Sequence, residues 1–208
     1  MTQARATRVI ELQREGASRA GAVVRARRWA YTLIEMLIVI SVLGISGTLL
    51  IPHLVGRDLM AAESAVRLVI GDLSFAQSDA LAHQEFRRVH FYEDGRGYCL
   101  VRISQGELAT PFDEDATTHD YIIDPLGRPG SSGRYIVDFN TDDRFNSVSI
   151  TSVDIDGGGR DLQYDSLGGT IMAGGVAGLG GTIIVASGAE QYRITIAPFT
   201  GKLTVVKL

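Results

Sequence analysis

The chain has 208 residues, 45% of them hydrophobic and 21% charged, with a formal net charge of −4. That balance excludes collagen-like, disulfide-framework and wholly disordered proteins, whose compositions are far more skewed. The charge is uneven: residues 1–30 hold seven Arg and two Glu, net +5, which leaves −9 for residues 31–208. An acidic remainder argues against nucleic acid as a partner. Cys99 is the single cysteine, so no internal disulfide and no CxxC metal or redox motif exists. In its strand-like run it reads as a small buried hydrophobe.

From Met36 to Gly56 there is no Asp, Glu, Lys or Arg, and Leu, Ile and Val dominate. These 21 residues would span roughly 30 Å as a helix, the thickness of a bilayer's hydrocarbon core. Arg25, Arg27 and Arg28 precede the run and only Arg57 closely follows it. The positive-inside rule then places the N-terminus in the cytoplasm and the bulk of the chain beyond the membrane. A secretory signal would have a shorter apolar run closed by a small-residue cleavage site, and none is present. Glu35 stands almost at the head of the run, where a carboxylate costs about 2.5–3.5 kcal/mol on insertion scales. Such an acid is either functional or snorkels to the headgroups.

Ala30-Tyr31-Thr32-Leu33-Ile34-Glu35 followed by Met36–Ile40 resembles the processing site of type IV prepilins and type II secretion pseudopilins. The family pattern has a small residue, an apolar or aromatic first mature residue, Thr, Leu, an aliphatic, and Glu at the fifth place. Gly44 and Pro52 also lie where many members carry a Gly and a Pro in the first helix. Ala30 stands where the family has Gly, and the leader of 30 residues is long for its simplest members. The resemblance implies cleavage between Ala30 and Tyr31 by a prepilin peptidase and N-methylation of Tyr31. It further implies that Glu35 meets the terminal amine of a neighbouring subunit and so sets the register of assembly. Leader 1–30 would be removed, 31–56 would be a transmembrane and assembly helix, 57–87 its amphipathic half, and 88–208 a periplasmic β-rich domain.

Beyond the apolar run, Leu59, Ala62, Val66, Val69, Leu73, Ala76 and Ala80 recur every three or four residues, one apolar stripe on a helix. Arg57, Asp58, Glu63, Arg67, Asp72 and Asp79 fall off it. Pro52 removes a helix hydrogen bond and predicts a kink between the halves. Arg88–Tyr92 and Tyr98–Ile103 flank a turn-rich segment and read as a hairpin. Tyr121–Ile123, Tyr135–Phe139 and Ser147–Ile155 read as strands, and Thr182–Ala186, Gln191–Ala197 and Leu203–Val206 as a meander. The Gly-rich stretch 168–181 reads as a loop or strand edge. The expected architecture is α+β: a long N-terminal helix, membrane-spanning then amphipathic, packed on an antiparallel sheet. The terminal strand–Pro198–x–Thr200-Gly201–strand order resembles the H-type minor pseudopilin and its pilus counterpart.

No catalytic constellation emerges. His53, His83, His90 and His119 lack metal-motif spacing, and neither a G-x-S-x-G elbow nor a P-loop occurs. Asp113-Glu114-Asp115 reads as a solvated loop. Asp154, Asp156 and Asp161, interleaved with glycines, offer oxygens that could wrap a calcium ion, although turn chemistry alone explains them. No enzymatic cofactor is implied. The resemblance points to a structural subunit of a type II secretion pseudopilus, with a minor pilin of a type IV pilus or a signal-anchored binding domain as alternatives. Its implied partners are other pilin-like subunits through the N-terminal helix, the prepilin peptidase and the inner-membrane assembly platform.

Overall fold

The structure, a computed structural model, describes residues 32–208 apart from 117, 129 and 130, and the side chains of these except for residues 48–57. Helix α1 is Leu33–His83. Its described side chains fall in two stretches, 33–47 and 58–83. The chain divides between Gly47 and Thr48 into two units, and the stretches belong to different ones.

In the larger unit, Ala62, Ala65, Val66, Val69, Leu73, Ala76 and Ala80 are buried in the main core. The many alanines hold the helix backbone close to its neighbours. The helix ends with Gln84 in the left-handed region (φ 57°) and Glu85 N–H donating to the Ala80 carbonyl (3.2 Å), the Schellman pattern that satisfies a terminal carbonyl.

Among the described residues nine strands follow in two antiparallel sheets: β1 (Phe86–Phe91), β2 (Gly97–Ile103), β3 (Ile136–Asp138), β4 (Val148–Ile155), β5 (Asp161–Tyr164), β6 (Thr170–Ile171), β7 (Gly181–Ser187), β8 (Glu190–Ile196) and β9 (Leu203–Lys207). One sheet has the order β3-β2-β1-β5-β6, the other β4-β7-β8-β9. Val89, Phe91, Tyr98, Leu100, Leu162 and Tyr164 of the first sheet share the core with Ile150, Ile183, Val185, Ile194 and Ile196 of the second. The opposite face of the first sheet carries Tyr92, Cys99 and Val101, with Phe112 and Tyr121 packed over them. β1 and β2 are thus buried on both faces, whereas Tyr192, Ile194 and Ile196 alternate with outward Arg193 and Thr195 in β8.

The expected rod, membrane-spanning first and amphipathic second, laid on one sheet, is corrected. Among the described residues no helix is long and apolar enough to cross a membrane. The stretch Leu33–Gly47 is shorter than the ~20 apolar residues a crossing requires. Stretch 58–83 is broken by Asp58, Glu63, Arg67, Asp72 and Asp79. The strands form two sheets rather than one.

Tyr121–Ile123, expected as a strand, makes isolated bridges to Val101 and Arg134. Stretch 168–181, expected as a loop or strand edge, carries the short edge strand β6. Asp72, expected on the solvated side, is 5% exposed because two tyrosines and an arginine bind it.

Candidate functional site

Ala30 and Tyr31, the expected cleavage and methylation positions, lie outside the described residues. So does the side chain of Pro52, although its backbone is helical. Thr32 is the N-cap of α1: its Oγ1 accepts from the Glu35 N–H (3.3 Å) and its carbonyl from Met36 (3.2 Å). The helix therefore starts at the residue after that cap. Glu35 sits exposed in its first turn, where the helix dipole favours a negative charge.

From Met36 to Ser46 every described residue is exposed, and all but Ser41 and Ser46 are apolar. Leu37, Ile38, Val39 and Ile40 are all open, and four successive residues at about 100° each encircle a helix. Leu33, Ile34, Val42, Leu43 and Ile45 extend the same surface. Ser41 does not interrupt it, because its hydroxyl donates to the Leu37 carbonyl (2.7 Å). Contiguous exposed apolar surface of this kind marks an interaction site.

The second polar constellation lies on the outer face of the first sheet, under the segment 104–120. His90 is bracketed by two carboxylates, its Nδ1 2.6 Å from Asp161 Oδ1 and its Nε2 3.1 Å from Glu114 Oε1. Phe112 stacks between the His90 and His119 rings, with centroids 4.3 and 4.1 Å apart. Arg88 donates to the Glu107 carbonyl (2.7 Å) and Gln163 to that of Leu108 (3.1 Å), so the segment is pinned along its length. Ser104 and Glu107 close a capping box at its start. A cavity of about 610 Å³ remains beside it, lined by Arg88, Arg102, Glu107, Phe112, His119 and Asp120 among others. Glu114, expected in a solvated loop, is thus a clasp, and no local pattern points to it because its partner His90 lies 24 residues away on β1. Burial pushes the Cys99 thiol up to about 12, which keeps it an inert neutral group.

The clasp predicts a local effect. Glu114→Ala is expected to leave overall stability within about 1 kcal/mol, since Glu114 is partly exposed. Amide exchange across Asp113–Ala116 should nevertheless quicken. Unchanged exchange there would show that Phe112 alone holds the segment.

The calcium candidates are not brought together. Asp154 is exposed, Asp156 accepts from the Leu179 N–H (2.7 Å), and Asp161 is engaged with His90. β5 opens at Asp161 and carries that carboxylate off to a different neighbour. Among the described residues no group of three or more His, Cys, Asp or Glu is placed to hold a metal ion.

Compared with known proteins, the chain matches no family model, no curated protein and no solved structure.

Proposed function

We propose that the chain is a minor pseudopilin, a non-enzymatic structural subunit that assembles through its N-terminal helix into the periplasmic filament of a type II secretion system. The observation that carries this is the helix start. A helix capped by Thr32 begins at Leu33, shows apolar side chains in every direction, and holds one carboxylate in its first turn. Helices of neighbouring subunits would cover that surface, and a terminal amine from one of them would answer Glu35. Before assembly the protein would reside at the inner membrane, its globular part in the periplasm, and the prepilin peptidase and the assembly platform would act on it there.

Chemistry at the cut fits the same role. Ala30 adds a single methyl to the glycine found elsewhere in the resembling family, a small demand on a peptidase cleft. The amine freed at Tyr31 has a reference pKa of about 7.7–8.0 and is largely cationic near neutrality. Mass spectrometry of the mature protein tests the proposal: the N-terminal peptide should begin at Tyr31 and carry one added methyl. A chain that keeps Met1, or one cut beyond the apolar segment, would refute it.

A further inference from the structure

The edges of the two sheets are not treated alike. β3 and β6, the edges of the first sheet, have three and two residues. β4, one edge of the second, is broken by a register shift between Ile150 and Ser152. It is also covered: Ile150 donates to the Gly95 carbonyl (2.9 Å), and Ile155 exchanges backbone bonds with Gly159 (3.0 and 2.7 Å). Gly95 is in the left-handed region (φ 71°), and a Cβ there would sit 2.5 Å from the Ile150 carbonyl oxygen, so only glycine lets this turn close on β4. Shortening, bulging and covering are the usual ways of stopping a strand from adding to an edge.

β9 has none of these. Ala197 N–H donates to the Lys202 carbonyl and Leu208 N–H to that of Gln191, both at 2.9 Å. With Thr204 opposite Thr195 and Val206 opposite Arg193, these bonds fix the phase of the ladder. Thr204 and Val206 turn their backbone groups toward β8. Leu203, Val205 and Lys207 turn theirs outward, and no further strand pairs with them among the described residues. Leu203, Val205 and Lys207 lie on the core face, opposite Ile196, Ile194 and Tyr192, yet Val205 remains 40% exposed. One more strand would cover surface that the sheet leaves open.

Charge selects the occupant. No Asp or Glu occurs from Gln191 to Leu208, while Arg193, Lys202 and Lys207 do, and these are the chain's only two lysines. Lys207 is bound to Glu190, but Arg193 and Lys202 have no side-chain partner among the described residues. A second copy of β9 laid antiparallel about Val205 would crowd lysines at both ends. An acidic strand would find cations there instead.

We infer that the free edge of β9 docks an extended acidic segment of another protein by strand addition, main-chain bonds supplying the affinity and the unpaired Arg193 and Lys202 the preference. This goes beyond the assembly role and does not rest on it. The test uses the full chain in detergent micelles with a short synthetic peptide alternating Val and Glu, and a second peptide with Lys in place of Glu. Exchange at the Leu203, Val205 and Lys207 amides should slow with the Glu peptide, and the Lys peptide should bind roughly tenfold more weakly. Val205→Pro deletes one outward N–H without touching the bonds to β8, a substitution that edge strands tolerate. It should abolish the slowing while the Thr204 and Val206 amides keep their protection, which reports an intact sheet. The inference is overturned by no slowing, by equal slowing with both peptides, or by full binding to the proline variant. Slowing that grows with protein concentration alone would also overturn it, in favour of a second copy.

Discussion

Asp72→Ala is expected to destabilise the globular part by about 3–5 kcal/mol, the range for breaking a buried ion pair from one side. Asp72 Oδ2 accepts from Tyr98 (2.6 Å), and Oδ1 accepts from both Tyr135 (2.9 Å) and Arg128 (2.8 Å). The carboxylate thus joins α1 to β2 and to the segment before β3. Arg128 lies over the Tyr135 ring, 4.6 Å from its centroid, and one of its buried nitrogens already lacks a hydrogen bond. Removing the acid takes this acceptor from two phenols and a guanidinium, and among the described residues leaves the cation Asp124 (3.7 Å) and the Tyr135 hydroxyl (3.3 Å). Burial holds the Asp72 carboxyl above the ordinary carboxylate value, against the pull of Tyr98, Arg128 and Tyr135. Asp72→Asn, which still accepts hydrogen bonds, should therefore cost clearly less than the alanine variant. Urea unfolding followed by near-ultraviolet circular dichroism measures both. Equal losses for the two would show that hydrogen-bond acceptance contributes nothing at this position.

This cluster also marks where sequence stops being informative. The stripe Leu59 to Ala80 named the buried helix face because its period is local, and all but Leu59 of its members lie in the core. Asp72 is adjacent to Leu73, so the same periodicity put it outside; only the fold brings Tyr98 and Arg128, 26 and 56 residues away, to bury it. The β1–β2 hairpin and the last meander were legible from alternation and turn residues, and strands lie at both places. β5 was not, although it pairs with β1 at the middle of the first sheet. Asp161-Leu162-Gln163-Tyr164 is four residues following three glycines and an arginine, and its polar members, half-buried Asp161 and buried Gln163, are held by partners that lie on distant segments. At the helix start the pattern lay in consecutive residues, so Thr32 and Glu35 could be singled out directly. The membrane-spanning expectation rested on the same consecutive run, and the described helix residues do not meet the length and apolarity that it requires.

Glu35→Ala is expected to reduce incorporation into filaments by at least about tenfold while leaving the globular part folded. Glu35 sits in the first turn of α1 with no side-chain partner among the described residues, and its own N–H is held by Thr32. Losing the carboxylate therefore breaks no side-chain bond among the described residues. The expected effect comes through the proposed meeting with the terminal amine of another subunit. Among packed apolar helices a cation without a counter-ion costs several kcal/mol, and about 1.4 kcal/mol already makes a tenfold difference in equilibrium. Glu35→Gln separates charge from hydrogen bonding: the amide can accept a bond but cannot neutralise the amine, so it should fail nearly as badly. Glu35→Asp keeps the charge on a side chain one methylene shorter and should recover part of the function. The readout is the fraction of chain recovered in sheared filaments, alongside unchanged thermal unfolding. Wild-type recovery of the alanine variant would remove Glu35 from assembly, and a lowered unfolding temperature would trace its effect to folding instead.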